Sequence, residues 1–268
     1  IPNLGSRKNR ILLKELVKTD FKLRYQGSLL GYLWAVLRPM MLFAILYVVF
    51  AKILKMGSDI PHYPVYLLAG TVLWSFFSEC TNQGIQAIVA RGDLLRKISF
   101  PKWIIVVSAT VTALINFLIN LGVVIIFAII NGVTPNLGWL LVPLIILELY
   151  LLSLGISFFL GAINVKYRDI SSIWEVFMQA LFYAVPVIYP ITMVASASPL
   201  AAKIFLLNPI AQVIQDVRYF LITDQTITTW NYLENRLLYL IPLGLVSLVI
   251  ILGGIYFRKR SKYFAEEA

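Results

Sequence analysis

Four ionisable side chains lie within or at the edges of long apolar segments, and they offer this chain its main opportunity for chemistry: Arg38, Glu79, Glu148 and Glu175. A guanidinium suits phosphate oxygens, and intramembrane carboxylates can relay protons. Because burying a charge in lipid is costly, such residues are functional by default. The alternatives are that Arg38 and Glu175 reach water at a helix end, and that Glu79 and Glu148 are protonated or hydrogen-bonded between helices. The acids are too dispersed for the dense carboxylate relay of a proton pump.

Motifs of known enzymes are absent from the sequence. It contains no G-x-x-x-x-G-K-[ST] phosphate loop, no G-x-S-x-G nucleophile turn, no H-E-x-x-H zinc motif and no Asp-x-Asp metal pair. His62 and Cys80 are the only histidine and cysteine, which excludes an internal disulfide and a dedicated His/Cys metal site. We therefore predict that the chain is not an enzyme and holds no cofactor, so that energy for any transport comes from a partner or a gradient.

The composition indicates an integral membrane protein. Hydrophobic residues make up 60% of the 268 residues, and charged residues only 13%. This is more apolar surface than one soluble core can bury. The apolar runs are about 20 to 28 residues long and show no period-two alternation, which favours helices over barrel strands. We predict an all-α fold, with residues 1–268 as a single transmembrane domain.

Periodicity divides the chain into an N-terminal helix and six spans. Lysines repeat every four residues within 10–26, which predicts an amphipathic interfacial helix. The predicted spans are 29–53, 63–90, 103–130, 139–163, 171–189 and 237–257. The segment 191–236 contains two apolar pieces that are too short to cross, and it suits a pair of external re-entrant helices.

The basic residues are distributed unevenly across this topology. With an even number of spans, 18 of the 23 Lys and Arg residues lie on the side of both termini, and Arg218 is one of the five on the other side. The positive-inside rule predicts that both termini are cytoplasmic. The net charge of +10 then follows from membrane insertion and contact with anionic lipid, and it requires no nucleic-acid partner.

The basic loop 91–102, between the second and third spans, is the predicted contact site for another protein. Leu94, Leu95 and Ile98 fall at helical spacing beside Arg96 and Lys97, which predicts one or two turns of amphipathic helix. The predicted contact residues are Asp93, Leu94, Leu95, Arg96 and Lys97. The alternative is a solvated connector whose charges only determine topology.

Aromatic side chains are frequent in spans one and five, where flat rings can stack on sugar faces and let a polymer slide. One helical face of span one carries Trp34, Arg38, Met41 and Ile45. One face of span five carries Trp174, Met178, Leu181, Val185 and Tyr189. Many of the aromatic residues are instead expected at the membrane interface.

Five stretches together resemble one protein family: LGYLWAVLRP at 30–39, KISFPK at 97–102, NVKYRDI at 164–170, PVIYP at 186–190 and LNP at 207–209. Their order and spacing are similar to those of the membrane subunits of type-two ABC exporters of polysaccharides, and the resemblance covers nearly the whole chain. The pattern looks most like the permeases that export undecaprenyl-pyrophosphate-linked polymers, either wall teichoic acid or O-antigen.

This resemblance implies a homodimer in a bacterial inner membrane, bound to two copies of an ABC subunit that carries ATP and Mg. It implies that Asp93 to Lys97 and the N-terminal helix, including Lys14 and Lys18, contact that subunit. The two faces of spans one and five would line a passage between the permease subunits, which ATP binding would open. Arg38 departs from the family pattern, in which an aromatic or uncharged residue is common before the proline. We hypothesise that it meets the lipid pyrophosphate.

Two further functions are compatible with the residues alone. Efflux of a small amphiphile or drug by a similar permease predicts a closed apolar pocket. A membrane-embedded glycan transferase or a gradient-driven channel belongs to a different class. The absent Asp-x-Asp and histidine-based sites argue against the transferase, and the absence of a charged or carbonyl-rich filter argues against the channel.

Overall fold

The computed structural model describes residues 7–27, 30–57, 60–97, 100–233 and 236–267, and this part of the chain forms helices and no strands. The predicted all-α fold class is thereby confirmed. The helices are α1 (Arg7–Tyr25), α2 (Trp34–Leu46), α3 (Tyr63–Gln86), α4 (Gly92–Lys97), α5 (Trp103–Ile130), α6 (Val142–Asn164), α7 (Ile170–Ala184), α8 (Ile191–Ala197), α9 (Pro199–Leu206), α10 (Pro209–Leu221), α11 (Thr229–Tyr232), α12 (Leu240–Arg260) and α13 (Phe264–Glu267). A π-helix, Tyr47–Ile53, extends α2.

Within the described residues, four helical stretches are long and apolar enough to cross a membrane: Gly31–Ile53, Trp103–Ile130, Leu137–Asn164 and Leu237–Arg260. They correspond to predicted spans one, three, four and six. The pair α9 and α10 would add a fifth only if their 92° bend were a break within one span. The helices at predicted spans two and five, α3 and α7, are not in this apolar group, so a six-span topology is not observed directly. Residues 29, 98–99 and 234–235, which belong to predicted segments, lie outside the described residues.

The helix at predicted span five ends earlier than expected. It stops at Ala184, and Val185 has extended backbone angles of φ −104° and ψ 139°. The reason is local, because a residue that precedes proline is driven out of the helical region and Pro186 has no N–H to donate. Val185 and Tyr189 therefore lie in a linker of turns and bends, and α8 begins directly after Pro190.

Helix α3 forms the centre of the bundle, where it packs against α5, α6, α7 and α10. Val65, Leu67 and Phe77 on this helix have no exposed surface. Because α3 is enclosed by protein, its polar side chains can find partners on neighbouring helices. This explains how a helix with comparatively low hydropathy occupies the interior.

A second apolar cluster lies at the end of the bundle where α4 and α12 end in basic residues. Leu95 of α4 is 4% exposed and packs in this cluster with Val165, Phe257 and Phe264. The cluster brings α4, the turn after α6, and the C-terminal helices α12 and α13 together. The structure therefore places α4 and the C-terminal end of α12 at the same end of the bundle.

Glycines allow α6 and α12 to pack closely. A Cβ added at Gly253 would lie 2.3 Å from the carbonyl oxygen of Gly155, and one added at Gly155 would lie 2.8 Å from the Cα of Ile250. We expect Gly253→Ala to lower the stability of the detergent-solubilised protein by about 1–3 kcal/mol, because the helices must move apart. A thermal unfolding midpoint measures this effect. Gly254→Ala is the matched control, since its Cβ would meet nothing within 4 Å, and equal shifts in both variants would contradict the prediction.

Candidate functional site

A cavity of about 720 Å³ lies between the end of α1 and helices α2, α3 and α5. Its walls combine the guanidinium groups of Arg24 and Arg38, the carboxylate of Glu79, and the aromatic rings of Trp34 and Phe76. Two of the four ionisable residues that the sequence singled out, Arg38 and Glu79, therefore share one cavity. A site with this lining can hold a group that is anionic at one point and apolar elsewhere.

Glu79 is hydrogen-bonded between helices, as one of the sequence-based alternatives proposed. Its Oε1 accepts hydrogen bonds from Asn116 Nδ2 at 2.9 Å and from Gln83 Nε2 at 3.1 Å. It also forms an ion pair with Arg24 of α1. Sequence reasoning did not select Arg24, because nothing in its local pattern indicates a partner 55 residues away.

Arg38 is exposed in the cavity, and it makes no hydrogen bond or ion pair with any residue that the structure describes. Trp34 lies one helical turn earlier and lines the same cavity, so a ligand could contact both side chains. Met41 and Ile45, which were predicted on the same face, are 57% and 61% exposed and do not line this cavity.

Pro39 shapes the wall beside Arg38. Because proline has no N–H, the carbonyl of Ala35, four residues earlier, loses its helical hydrogen bond. Asn120 of α5 replaces that bond, with its Nδ2 3.0 Å from the Ala35 oxygen. The segment that carries Arg38 and Pro39 is thus held against α5, and Arg38 lines the cavity beside it.

The predicted face of span five packs inside the subunit. Met178 is 5% exposed and Val185 is fully buried, and Trp174 Nε1 donates a hydrogen bond of 3.1 Å to Thr81 Oγ1 on α3. Leu181 and Tyr189 are partly buried against the same core. Because this face meets α3, the structure does not bring it together with the Trp34 face of α2.

The outward face of α7 consists of different residues. Ile173, Val176 and Phe177 are 62%, 67% and 50% exposed, and Tyr183 near the end of the helix is 68% exposed. Glu175 is also exposed. These side chains, rather than the predicted ones, are available to a neighbouring molecule.

At the basic end, α4 is amphipathic. Leu95 is buried, Leu94 is partly buried, and the three charged side chains Asp93, Arg96 and Lys97 are exposed. Lys14 and Lys18 of α1 are also exposed. This arrangement anchors the short helix by its apolar side and presents its charges to solvent.

One turn of α1 connects α4 to the cavity. Asp20 forms an ion pair with Arg91, which immediately precedes α4, and Arg91 Nη1 also donates to Ser108 Oγ at 2.8 Å. Arg24 lies four residues after Asp20 and holds Glu79. Two ion pairs on one turn of α1 therefore link the residue before α4 to the cavity wall.

Arg218 is the largest fully buried side chain of the described residues, and sequence reasoning counted it only as a basic residue outside the cytoplasm. Its guanidinium donates to three backbone carbonyls: Pro186 at 2.7 Å, Val187 at 2.5 Å and Tyr66 at 3.1 Å. The Tyr66 ring lies 3.6 Å from the guanidinium carbon. The position of this arginine among apolar residues was the only sign in the sequence that it is buried. Its partners could not be predicted, because they lie far away in the chain.

Glu148 belongs to a separate buried network that includes α6, α10 and Tyr239, the residue immediately before α12. Gln212 Nε2 lies 3.5 Å from Glu148 Oε2 and 2.6 Å from Asp216 Oδ2. The hydroxyl of Tyr239 also donates to Asp216, at 3.2 Å. Glu148 therefore does not line the charged cavity. It is hydrogen-bonded between helices, which was one of the alternatives predicted from the sequence.

Comparison with known proteins identifies what the chain is similar to. The sequence profile of the ABC-2 type transporter family matches residues 11–222. The O-antigen export system permease protein RfbA of Myxococcus xanthus is 32% identical over 200 residues, which cover 75% of this chain and 76% of the relative. The protein of the same name from Klebsiella pneumoniae is 28% identical over 95% of this chain and 94% of its own length. The polysialic acid transport protein KpsM of Escherichia coli is 24% identical over 70% of this chain and 73% of its own length.

Proposed function

This chain belongs to the ABC-2 type transporter membrane family, and from that premise we infer that it is the permease subunit of an ATP-driven exporter of a lipid-linked cell-surface polysaccharide. Membership implies a membrane location and association with an ABC ATP-binding subunit. Its relatives are transporter membrane subunits rather than enzymes. The observation that carries the inference is similarity to an O-antigen export permease along 95% of the chain.

We propose that the cargo is an O-antigen-type glycan carried on undecaprenyl pyrophosphate. Of the two polymers considered from the sequence, the names of the relatives favour O-antigen over wall teichoic acid. The cavity supports the carrier assignment, because Arg38 has an exposed guanidinium beside the apolar and aromatic wall of Trp34 and Phe76. Guanidinium groups bind phosphate oxygens in a bidentate manner, so Arg38 would hold the pyrophosphate at the cytoplasmic side.

The proposed assembly is a homodimer with two ATP-binding subunits, in the inner membrane of a bacterium. Each permease crosses six times, α3 and α7 included, and both termini are cytoplasmic. The apolar stretch Gly31–Ile53 supports the dimer, because none of its membrane-length window is buried within one subunit. Val176 and Phe177 on the outward face of α7 support it too. The passage would run between the subunits, along the exposed faces of α2 and α7.

The proposed mechanism is mechanical. ATP and Mg bind to the partner subunits, which close and displace α4. The ion pair of Arg91 with Asp20 carries that movement to α1, and the ion pair of Arg24 with Glu79 carries it to the cavity. Residues 91–97 and the N-terminal helix thus move together as one unit. The chain itself supplies no covalent chemistry.

Depletion of this protein in its native bacterium tests the function. We expect surface polysaccharide to disappear and lipid-linked polymer to accumulate inside the cell, because synthesis continues while export stops. Extraction of the lipid-linked glycan with quantification of surface glycan measures both. Unchanged surface polysaccharide on complete depletion would exclude the proposed function.

The exposed charges of α4 provide a test of partner binding. Simultaneous replacement of Asp93, Arg96 and Lys97 by alanine should weaken binding of the ATP-binding subunit by about tenfold or more, because charge pairs at an interface are lost. Pull-down titration of the purified partner measures the affinity. The control replaces Lys166, Arg168 and Asp169, three exposed charges in the turn before α7. Equal weakening by both triple variants would argue against a specific role for α4.

A further inference from the structure

A second cavity, of about 580 Å³, opens at the end of the bundle opposite to α4. It lies where α3 begins and α5 ends, between Pro61–His62, the loop 131–138 and the end of α10 with its following turn. Helix α4 comes after the C-terminal end of α3 and before the N-terminal end of α5. The second cavity and α4 are therefore separated by the length of α3 and α5. Under the proposed topology this cavity faces the outside of the membrane.

The lining of this outer groove combines planar hydrogen-bonding groups with aromatic rings. Thr134, Asn136, Asp224 and Gln225 contribute exposed polar side chains, and Tyr219 and Phe220 contribute two adjoining rings. The two ring centroids are 5.1 Å apart, and the ring planes are almost perpendicular at 87°. The groove therefore presents both hydrogen-bond donors and acceptors next to apolar ring surface.

Backbone conformation holds the loop against these rings. A Cβ added at Gly138 would lie 2.9 Å from Phe220 Cδ1 and 2.8 Å from Asn136 Oδ1, so a side chain at this position would displace one of these two groups. His62 adopts left-handed angles of φ 56° and ψ 36°, which is unusual for a residue other than glycine. Residues keep such conformations when their surroundings require them, and these residues often occur at ligand sites.

Charge defines the class of ligand. Among the described residues that line the groove there is no lysine or arginine, and its one carboxylate, that of Asp224, is exposed. The groove therefore offers no lysine or arginine to pair with a phosphate-rich or carboxylate-rich ligand, in contrast to the guanidinium-lined cavity. Carboxylate and amide groups pair well with sugar hydroxyls, and aromatic rings accept the apolar C–H face of a pyranose. The volume lies within the range of about 300–1,000 Å³ that is usual for ligand pockets.

We propose that the outer groove binds uncharged sugar units of a glycan, and so contacts the polymer as it leaves the transporter. This assignment rests on the proposed function, and it narrows the cargo to a glycan with stretches of neutral residues. Asn136 and Asp224 would hydrogen-bond the hydroxyls, while Tyr219 and Phe220 would pack on the ring faces.

Binding to the purified permease, assembled with its ATP-binding subunit in lipid nanodiscs, tests the proposal. The probes are maltoheptaose, a mannose oligomer and an N-acetylglucosamine oligomer, with a sialic acid oligomer of similar length as the anionic comparison. Saturation-transfer NMR with titration should detect at least one neutral probe and no stronger binding of the sialic acid oligomer. Asn136→Ala combined with Asp224→Ala should weaken that binding about tenfold, because hydrogen bonds to the ligand are lost.

Ser196→Ala is the control, since Ser196 is exposed, does not line the groove, and its hydroxyl contacts only its own helix. A thermal unfolding midpoint identifies any variant that has lost its fold, and Asp224→Asn then serves as a milder change. Failure of all neutral probes to bind, unchanged binding in the double variant, or preference for the sialic acid oligomer would each overturn the proposal. These outcomes leave the export function intact, which fails only if depletion spares the surface polysaccharide.

Discussion

Arg218→Met is expected to prevent accumulation of folded permease. The substitution removes the donor for the backbone carbonyls of Pro186, Val187 and Tyr66, which lie at buried or enclosed positions. Each buried polar group left without a partner costs about 1–3 kcal/mol. Three such losses approach the whole stability of a typical folded protein, about 5–15 kcal/mol. The yield of monodisperse protein in size-exclusion chromatography measures the effect.

Two further variants make this prediction specific. Arg168→Met changes an exposed arginine and should leave both yield and thermal midpoint unchanged. Gly70→Ala should produce a smaller loss than Arg218→Met, because its Cβ would lie 2.2 Å from Arg218 Nη2 and force the guanidinium to shift. A wild-type midpoint for Arg218→Met would mean that the linker 185–190 and α10 are held together by other contacts.

Arg38→Gln is expected to reduce polysaccharide export by about tenfold to a hundredfold, since a hydrogen bond to a charged group contributes about 1.5–3 kcal/mol. Folding and assembly should not change, because Arg38 makes no hydrogen bond or ion pair within the described part of the chain. The amount of surface polysaccharide, at equal permease level, measures the loss. Arg38→Lys should retain part of the activity, as an ammonium keeps the charge but not the bidentate geometry.

The control for Arg38 is Lys52→Gln, which removes an exposed positive charge from the other end of the same helical stretch. It should leave export unchanged, because it is remote from the cavity. Wild-type export by Arg38→Gln would exclude the pyrophosphate role of Arg38. It would leave the family assignment untouched, since that depends on sequence similarity along the chain.

Much of the local architecture follows from the amino-acid sequence. Apolar run length predicted long membrane helices, and four of them meet the requirement for crossing within the described residues. Asn208 and Pro209 predicted the break between two short helices, and α9 and α10 are indeed bent there by 92°. The helical spacing of Leu94 and Leu95 beside charged residues predicted the amphipathic α4. These features are local, because helix periodicity, capping and proline geometry depend on residues that are near each other in the chain.

The direction in which each helix face points was decided only by the tertiary structure. The sequence predicted that Trp174 and Met178 line a passage, whereas packing against α3 turns them into the subunit. Likewise, the pairing of Arg24 with Glu79 and the burial of Arg218 involve partners far apart in the chain. Several faces of a membrane helix are equally apolar, so periodicity cannot distinguish the lipid-facing side from the protein-facing side. Only the arrangement of the neighbouring helices determines which polar groups meet, and thus where a ligand can bind.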